Sequence, residues 1–310
     1  MWRRRESCKF ICITFLTFLV IDLSAKPASD SIPDMGWQAD ESYEELLLLG
    51  LESFYQTRWN EADDRFDRLI QMDPEDPRGY FFQSMLPFWS YFFVEQSREH
   101  ADRFLAVAEQ AIGVAERRLE QVPEDTLSVM LLSGLYGYKS LVEAGENRYR
   151  KAILDGRTGF QYTRQLLELE EVRPDARIGR GMYHYMVGSV PGGLKWLVRL
   201  FGLEGDKATG FEELRIAAQT ESYARVDAQL ILATLYQRED RPQEALQYLR
   251  QLTQEFEQNV IFLFQLAESL EMCAQPELAA AIFQDLVQRD HPRFPELTRL
   301  SRERLKQLSS

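Results

Sequence analysis

The chain is 310 residues long, 45% hydrophobic and 27% charged, with 36 Lys+Arg against 49 Asp+Glu and a formal net charge of -13. This composition supplies a core for one elongated or two compact domains at roughly 150 residues each, and excludes a disordered chain or a multi-span membrane protein. The acidic balance lacks the clustered Lys/Arg that nucleic-acid binders use to displace counterions from phosphates, so no nucleic-acid partner is expected.

Residues 1–25 read as a secretory signal peptide. Arg3, Arg4, Arg5 and Lys9 precede an apolar run from Phe10 to Ile21, and Leu23-Ser24-Ala25 offers small residues for cleavage. As a helix that run rises only about 18 Å, short of a hydrocarbon core about 30 Å thick. An exported protein, periplasmic or secreted, is therefore expected. Cys8 and Cys12 leave with the signal, so Cys273 alone remains and no internal disulfide can form. Residues 26–41, with Pro27, Pro33, Gly36 and several Ser and Asp, carry no helical period and read as a flexible leader.

Residues 42–310 read as one all-α domain. Apolar residues recur every three or four positions, and breakers such as Pro74, Pro77, Pro123, Gly145, Pro174, Pro191 and Pro242 separate blocks that pair into hairpins. Leu232-Ala233-x-x-Tyr236 is followed by Leu266-Ala267-x-x-Leu270, a spacing of 267 − 233 = 34. A second small residue follows twelve positions on in each unit (Ala245, Ala279), then a bulky one (Leu249, Phe283). The same ruler fits Gly50, Ala62, Phe66 and Leu69 near the start. The spacing predicts repeats over 43–76, 226–259 and 260–293. Gly50, Ala62, Ala233, Ala245, Ala267 and Ala279 are expected where the two helices of a hairpin approach closely, with Phe66 and Phe283 filling the seam to the next hairpin. Residues 77–174 keep this character without the spacing and read as degenerate, longer hairpins.

Two apolar segments stand out. Tyr80, Phe81, Phe82, Phe88, Trp89, Tyr91, Phe92 and Phe93 form an aromatic helix with Pro87 as its kink, read as buried between hairpins in preference to an exposed groove. Residues 191–203 read as an inserted apolar helix. Burial of Trp196 in the stack is preferred there, with a peripheral membrane contact through an edge of Lys195 and Arg199 as the alternative.

The repeat pattern resembles the tetratricopeptide-repeat superfamily over about 43–76 and 226–293. The resemblance implies a right-handed α-solenoid of antiparallel helical hairpins, about 13–14 helices in all, whose first helices line a concave groove. On this chain the groove would carry Leu47, Leu51, Phe54 and Tyr55, then Leu230, Thr234, Gln237 and Arg238, then Phe264, Glu268, Glu271 and Met272. It further implies a non-enzymatic scaffold for a protein or peptide. The Lys/Asn/Arg set with which chaperone-docking members clamp a terminal carboxylate is missing from these positions. A narrower resemblance covers Tyr183-His184-Tyr185, Pro191 to Trp196, and Phe201-Gly202-Leu203-Glu204-Gly205-Asp206-Lys207-Ala208-Thr209-Gly210-Phe211. This stretch is similar to a segment of secreted bacterial repeat proteins and to the Gly-Phe-x-Gly-Asp-Arg/Lys-x-x-Gly region of the eukaryotic tetratricopeptide-repeat 39 family. Neither resemblance carries a catalytic residue.

Signals for chemistry are weak, and no catalytic residue, metal or cofactor is assigned. His100, His184 and His291 are the only histidines, and no two share a helical turn. Gly188-Ser189-Val190 lacks the second Gly of a nucleophile elbow. Asp63, Asp64 and Asp67 read as a solvated helix face, and Asp73-Pro74-Glu75-Asp76-Pro77 is too proline-bound for a calcium loop. Gly202 to Thr209 has the wrong spacing for a phosphate loop and reads as a turn in which Asp206 caps a helix. Arg177, Arg180 and His184 form a cationic strip, expected to pair with Glu168, Glu170 or Glu171. Two functions remain beside the scaffold: an apolar-ligand or membrane-surface binder using the aromatic and Trp196 segments, and a helical-hairpin hydrolase with paired carboxylates.

Overall fold

The computed structural model describes residues 42–167, 174–190, 196, 204–220 and 224–308; residues 1–41, read above as signal peptide and leader, lie outside them, as does 191–203 apart from Trp196. Among the described residues there are thirteen α-helices and no strand. They run α1 (Tyr43–Tyr55), α2 (Trp59–Met72), α3 (Pro77–Trp89), α4 (Arg98–Gln121), α5 (Thr126–Gly145), α6 (Tyr149–Leu167) and α7 (Pro174–Ser189). Then follow α8 (Lys207–Gln219), α9 (Ala224–Arg238), α10 (Pro242–Glu255), α11 (Val260–Met272), α12 (Pro276–Arg289) and α13 (Pro295–Leu308). Each helix packs on the next in chain order, which makes the fold an all-α solenoid of helical repeats.

Local signals set the helix ends. Ser42 and Glu45 form a reciprocal capping box, satisfying two amide groups at the start of α1. Ser97, Asp125 and Asn259 cap α4, α5 and α11, and Pro77, Pro242 and Pro276 open α3, α10 and α12, where a missing N–H costs nothing. Within four hairpins the turn is the same: Thr57, Asn147, Asp240 and Ala274 adopt positive φ, and the following amide reaches back to Ser53, Glu143, Tyr236 and Leu270 carbonyls respectively. This is the left-handed stop that closes many helices. Asn147 belongs to the α5–α6 hairpin, whose helices span 20 and 19 residues against 13 and 14 in α1 and α2. The middle of the chain thus reuses the turn of the regular repeats on longer helices.

Small residues sit where helices cross. A Cβ on Gly50 would lie 2.6 Å from Phe66 Cε1. Ala62, Ala233, Ala245, Ala267 and Ala279 are all buried, with Phe66 and Phe283 at 0% exposure in the seams. The aromatic stretch is interior, as read from the sequence: Phe81, Phe82, Phe88, Trp89 and Tyr91 are buried, and Tyr80, Phe92 and Phe93 pack against the same core. Pro87 leaves the carbonyl one turn back without its amide partner, and the helix widens into a π-helical turn at Ser90–Val94.

The two ends of the stack meet. The α1–α2 turn packs on the α10–α11 turn, where Thr57 Oγ1 donates to the Gln258 carbonyl at 3.0 Å and Asn259 Nδ2 donates to the Tyr55 carbonyl at 2.7 Å. It also meets the α12–α13 turn: Trp59 stands edge-on to Phe294 at 4.7 Å, the Arg293 guanidinium lies 5.8 Å over the indole, and Arg293 donates to Asn60. Deeper in, Trp89 of α3 lies 5.9 Å from Phe262 of α11. Asn259 is fully buried while serving both its own helix and Tyr55, so this contact is a packed junction.

Candidate interaction surfaces

The end-to-end junction corrects the expected groove. Leu47, Leu51, Phe54, Tyr55, Leu230 and Phe264 are buried, so they serve the core in place of lining an open channel. The polar members are engaged within the chain. Thr234 donates to the Leu230 carbonyl, Gln237 Nε2 to Ser269 Oγ at 2.6 Å, and Arg238 lies over the Tyr185 ring at 5.7 Å. Glu268 and Glu271 both face Arg304 of α13, at 3.6 and 3.2 Å. Met272, 48% exposed, is the one residue of the expected groove that stands open. The curvature that carries α1 back to α10 and α11 depends on small rotations summed over every hairpin, which repeat spacing does not encode.

Where the groove would open there is a cavity of about 20 Å³, room for about one water. Phe54, Tyr55, Phe81, Phe82, Met85, Trp89, Tyr138 and Asp227 line it. Asp227 on α9 lies deep in the interior yet keeps some accessible surface towards this space. Its carboxyl accepts the Tyr55 hydroxyl hydrogen bond, but loss of hydration outweighs that bond and pushes its pKa up to about 7. The Tyr55 hydroxyl is raised as well, by burial first and the Asp227 charge second. Sequence periodicity gave no signal for this pair, since α1 and α9 meet only through closure.

Several described residues of the narrower resemblance have structural roles. A Cβ on Gly205 would strike Val187 Cβ at 2.5 Å, and one on Gly210 would strike the Gly181 carbonyl oxygen and the Tyr185 amide, each at 2.6 Å. α7 and α8 therefore touch backbone to backbone. Asp206 caps α8 by accepting from the Thr209 amide at 2.9 Å, and that bond holds its carboxyl below the usual range. Lys207 reaches Glu239, in the turn just after α9, at 2.7 Å, beside the Tyr185 hydroxyl that donates to the same carboxylate. Arg177 and Arg180 pair across this crossing with Glu213 of α8, at 2.8 and 3.2 Å. Pairing is the outcome expected from the sequence, but the partner is Glu213; Glu168, Glu170 and Glu171 lie outside the described residues. His184 is held below its ordinary pKa by burial and then by Arg180, and its Nδ1 has no partner among the described residues.

Two exposed features differ from the preferred reading of the sequence. Trp196 is 61% exposed, which corrects the preference for burial at that residue. On α6, Tyr149, Ile153 and Leu154 are 50%, 71% and 64% exposed. Between the two aliphatics on the same face lie exposed Arg150 and Arg157, with Arg164 on the same line. The signal was present in the sequence as arginines at seven-residue intervals, which return to nearly the same azimuth of a helix.

Among the described residues, no three His, Cys, Asp or Glu side chains are grouped to hold a metal ion, and no helix is long and apolar enough to cross a membrane. Residues 227–259 match the tetratricopeptide repeat family. This match falls on the α9–α10 hairpin, and the consecutive helical hairpins packed on either side of it are similar in arrangement to stacked repeats of that kind. Repeats of this type commonly mediate contacts between proteins, and their all-helical folds are typically non-enzymatic scaffolds. No curated protein matches the chain significantly.

Proposed function

We propose that the protein is an exported, non-enzymatic scaffold that binds a protein or peptide. The observation that carries the reading is the tetratricopeptide match at 227–259 within a stack of such hairpins. The charged clusters support it: Arg177 and Arg180 pair with Glu213, and Lys207 with Glu239, within the chain. With the expected groove residues packed inside, the binding surface lies on the outside of the stack. Cross-linking of the tagged protein in its own cells, read by mass spectrometry, tests this. A protein partner recurring with cross-links to the outer helix faces is the expected result, and the absence of any recurrent partner overturns it. Export is tested separately by N-terminal sequencing: a chain beginning near Lys26 is expected, and retention of Met1 refutes it.

The exposure of Trp196 favours a second reading, contact with a membrane surface through that residue. Co-sedimentation with phosphatidylserine vesicles that is lost in Trp196→Ala would establish it.

A further inference from the structure

We infer that the outer face of α6 is a docking site for an acidic, partly apolar protein segment, most simply a helix with carboxylates one heptad apart. This rests on the scaffold reading above and gives it a surface and a partner chemistry.

The face is built in an orderly way. Ala152, Gly159, Thr163 and Leu166 turn inward and are buried, and Ser133 and Ser140 of α5 bond to Thr163 and to the Ala152 carbonyl there. A Cβ on Gly159 would lie 3.1 Å from the Gly137 amide, so α6 is seated closely on α5 and its rotation is fixed. That fixed rotation sends Tyr149, Arg150, Ile153, Leu154 and Arg157 to solvent.

Charge sets the partner. The chain has 49 acidic residues against 36 basic ones, yet the exposed residues of α6 include none of the acidic ones. The only carboxylate on the helix, Asp155, is half-buried and faces Lys139 of α5 at 3.7 Å. Arg150 and Arg157 make no ion pair among the described residues. They lie about 10 Å apart along the axis, one heptad, a spacing matched by carboxylates at i and i+7 of a second helix. A partner with aliphatic residues beside those carboxylates would also cover Ile153 and Leu154, which are otherwise left in water.

The order of residues around the helix favours a protein over a lipid surface. Helices that lie in a membrane interface present one continuous apolar arc with cations at its edges. Here the order is reversed: at about 100° per residue, Arg150 and Arg157 fall between Ile153 and Leu154. A flat apolar medium could take both aliphatics only by burying the guanidinium groups between them, whereas a protein surface can meet the centre with carboxylates and the flanks with apolar side chains.

The test uses the full chain and fluorescence anisotropy. The ligand is a fluorescein-labelled helical peptide carrying glutamates one heptad apart with leucines on both sides of that line; the control has lysine at each glutamate. Saturable binding of the glutamate peptide alone is expected, weakening as salt is raised. Arg150→Glu with Arg157→Glu should weaken it about tenfold or more, from loss of two exposed pairs and repulsion in their place. Ile153→Ser with Leu154→Ser should weaken it without changing the salt dependence. All four sites are exposed, so circular dichroism of the variants should match the parent. Equal affinity for the lysine peptide, or indifference to the arginine reversal, overturns the inference. So does sedimentation with phosphatidylserine vesicles that the reversal abolishes, which would make α6 a lipid-facing helix. Cross-linking of a protein partner elsewhere on the molecule, without peptide binding here, overturns α6 as the site and leaves the scaffold reading standing.

Discussion

The indole of Trp59 meets the ring of Phe294 edge-on, with planes at 88°, although the two stand near opposite ends of the described chain. Trp59 is held in place from its own side by its Nε1–H, which donates to the Phe54 carbonyl at 3.0 Å, and by Phe54 stacked 5.8 Å away. Phe294 is 1% exposed. Phe294→Ala should therefore cost about 3–5 kcal/mol, as for large aromatic truncations in a core, and loosen the end-to-end junction. Small-angle scattering should show an enlarged radius of gyration together with a lowered Tm. A variant melting like the parent at unchanged radius would mean that the junction contributes nothing to closure.

Asp227 makes stability depend on pH. Its folded value of about 7 lies above the ordinary 3.8 because burial penalises the carboxylate. Below about pH 4 both folded and unfolded chains hold the proton. Between about pH 4 and 7 only the folded chain holds it, so this group removes about 1.4 kcal/mol of stability per pH unit as pH rises, at most about 4 kcal/mol in total. Water reaching the cavity reduces that figure. Asp227→Asn keeps an acceptor for Tyr55 and carries no charge, so it should be more stable than the parent at pH 8, with the gap clearly narrower at pH 5. A gap that stays constant across that range would show that Asp227 does not titrate in the folded protein.

Gly210 and Gly113 should respond oppositely to alanine. At Gly210 the new methyl meets backbone atoms of α7 on two sides, so α7 and α8 must separate, and overpacking of this kind costs about 1–3 kcal/mol or more. At Gly113 in α4 the nearest contact is the end of the Arg117 side chain at 3.5 Å, and alanine gains about 0.5–1 kcal/mol of helix propensity. Urea melts of the two variants should bracket the parent; Gly210→Ala at parental stability would refute the close crossing.

Ala274→Gly should stabilise the α11–α12 hairpin. Ala274 holds φ at 55°, a conformation that costs a side-chain-bearing residue about 1–2 kcal/mol and glycine almost nothing. Part of the gain is offset by the greater freedom of glycine in the unfolded chain, leaving about 0.5–1 kcal/mol. A rise of the midpoint in a chemical melt checks it, and a fall would contradict the assigned turn.

Much of this architecture is legible in the sequence because hairpin packing is local. Gly50 with Phe66, and Ala233 with Ala245, are near neighbours in the chain, and steric need at one crossing leaves a small residue that a fixed spacing reveals. The middle hairpins defeat that ruler since α4, α5 and α6 are longer, though the Asn147 turn is the same as that at Asp240. The surfaces were harder to read. Tyr55 and Leu51 look like groove residues from their helix positions, and only the meeting of α1 with α10, α11 and α9 shows that they are buried. Arg177 and Arg180 advertise a need for carboxylates, but their partner, Glu213, lies beyond the next loop, where chain proximity gives no guidance.

The junction between the α1–α2 turn and the α10–α13 turns also bears on how the molecule comes apart. An open row of repeats frays from its terminal members, because each end unit has lost one neighbour, and unfolding then spreads inward step by step. In this protein the first hairpin has a neighbour on either side, its successor α3 and the turns at Gln258 and Phe294. The first hairpin is therefore not a free end, and its loss removes two interfaces at once. Hydrogen exchange should accordingly find α1 nearly as slow as the interior helices, where a linear array would show protection falling away towards its start.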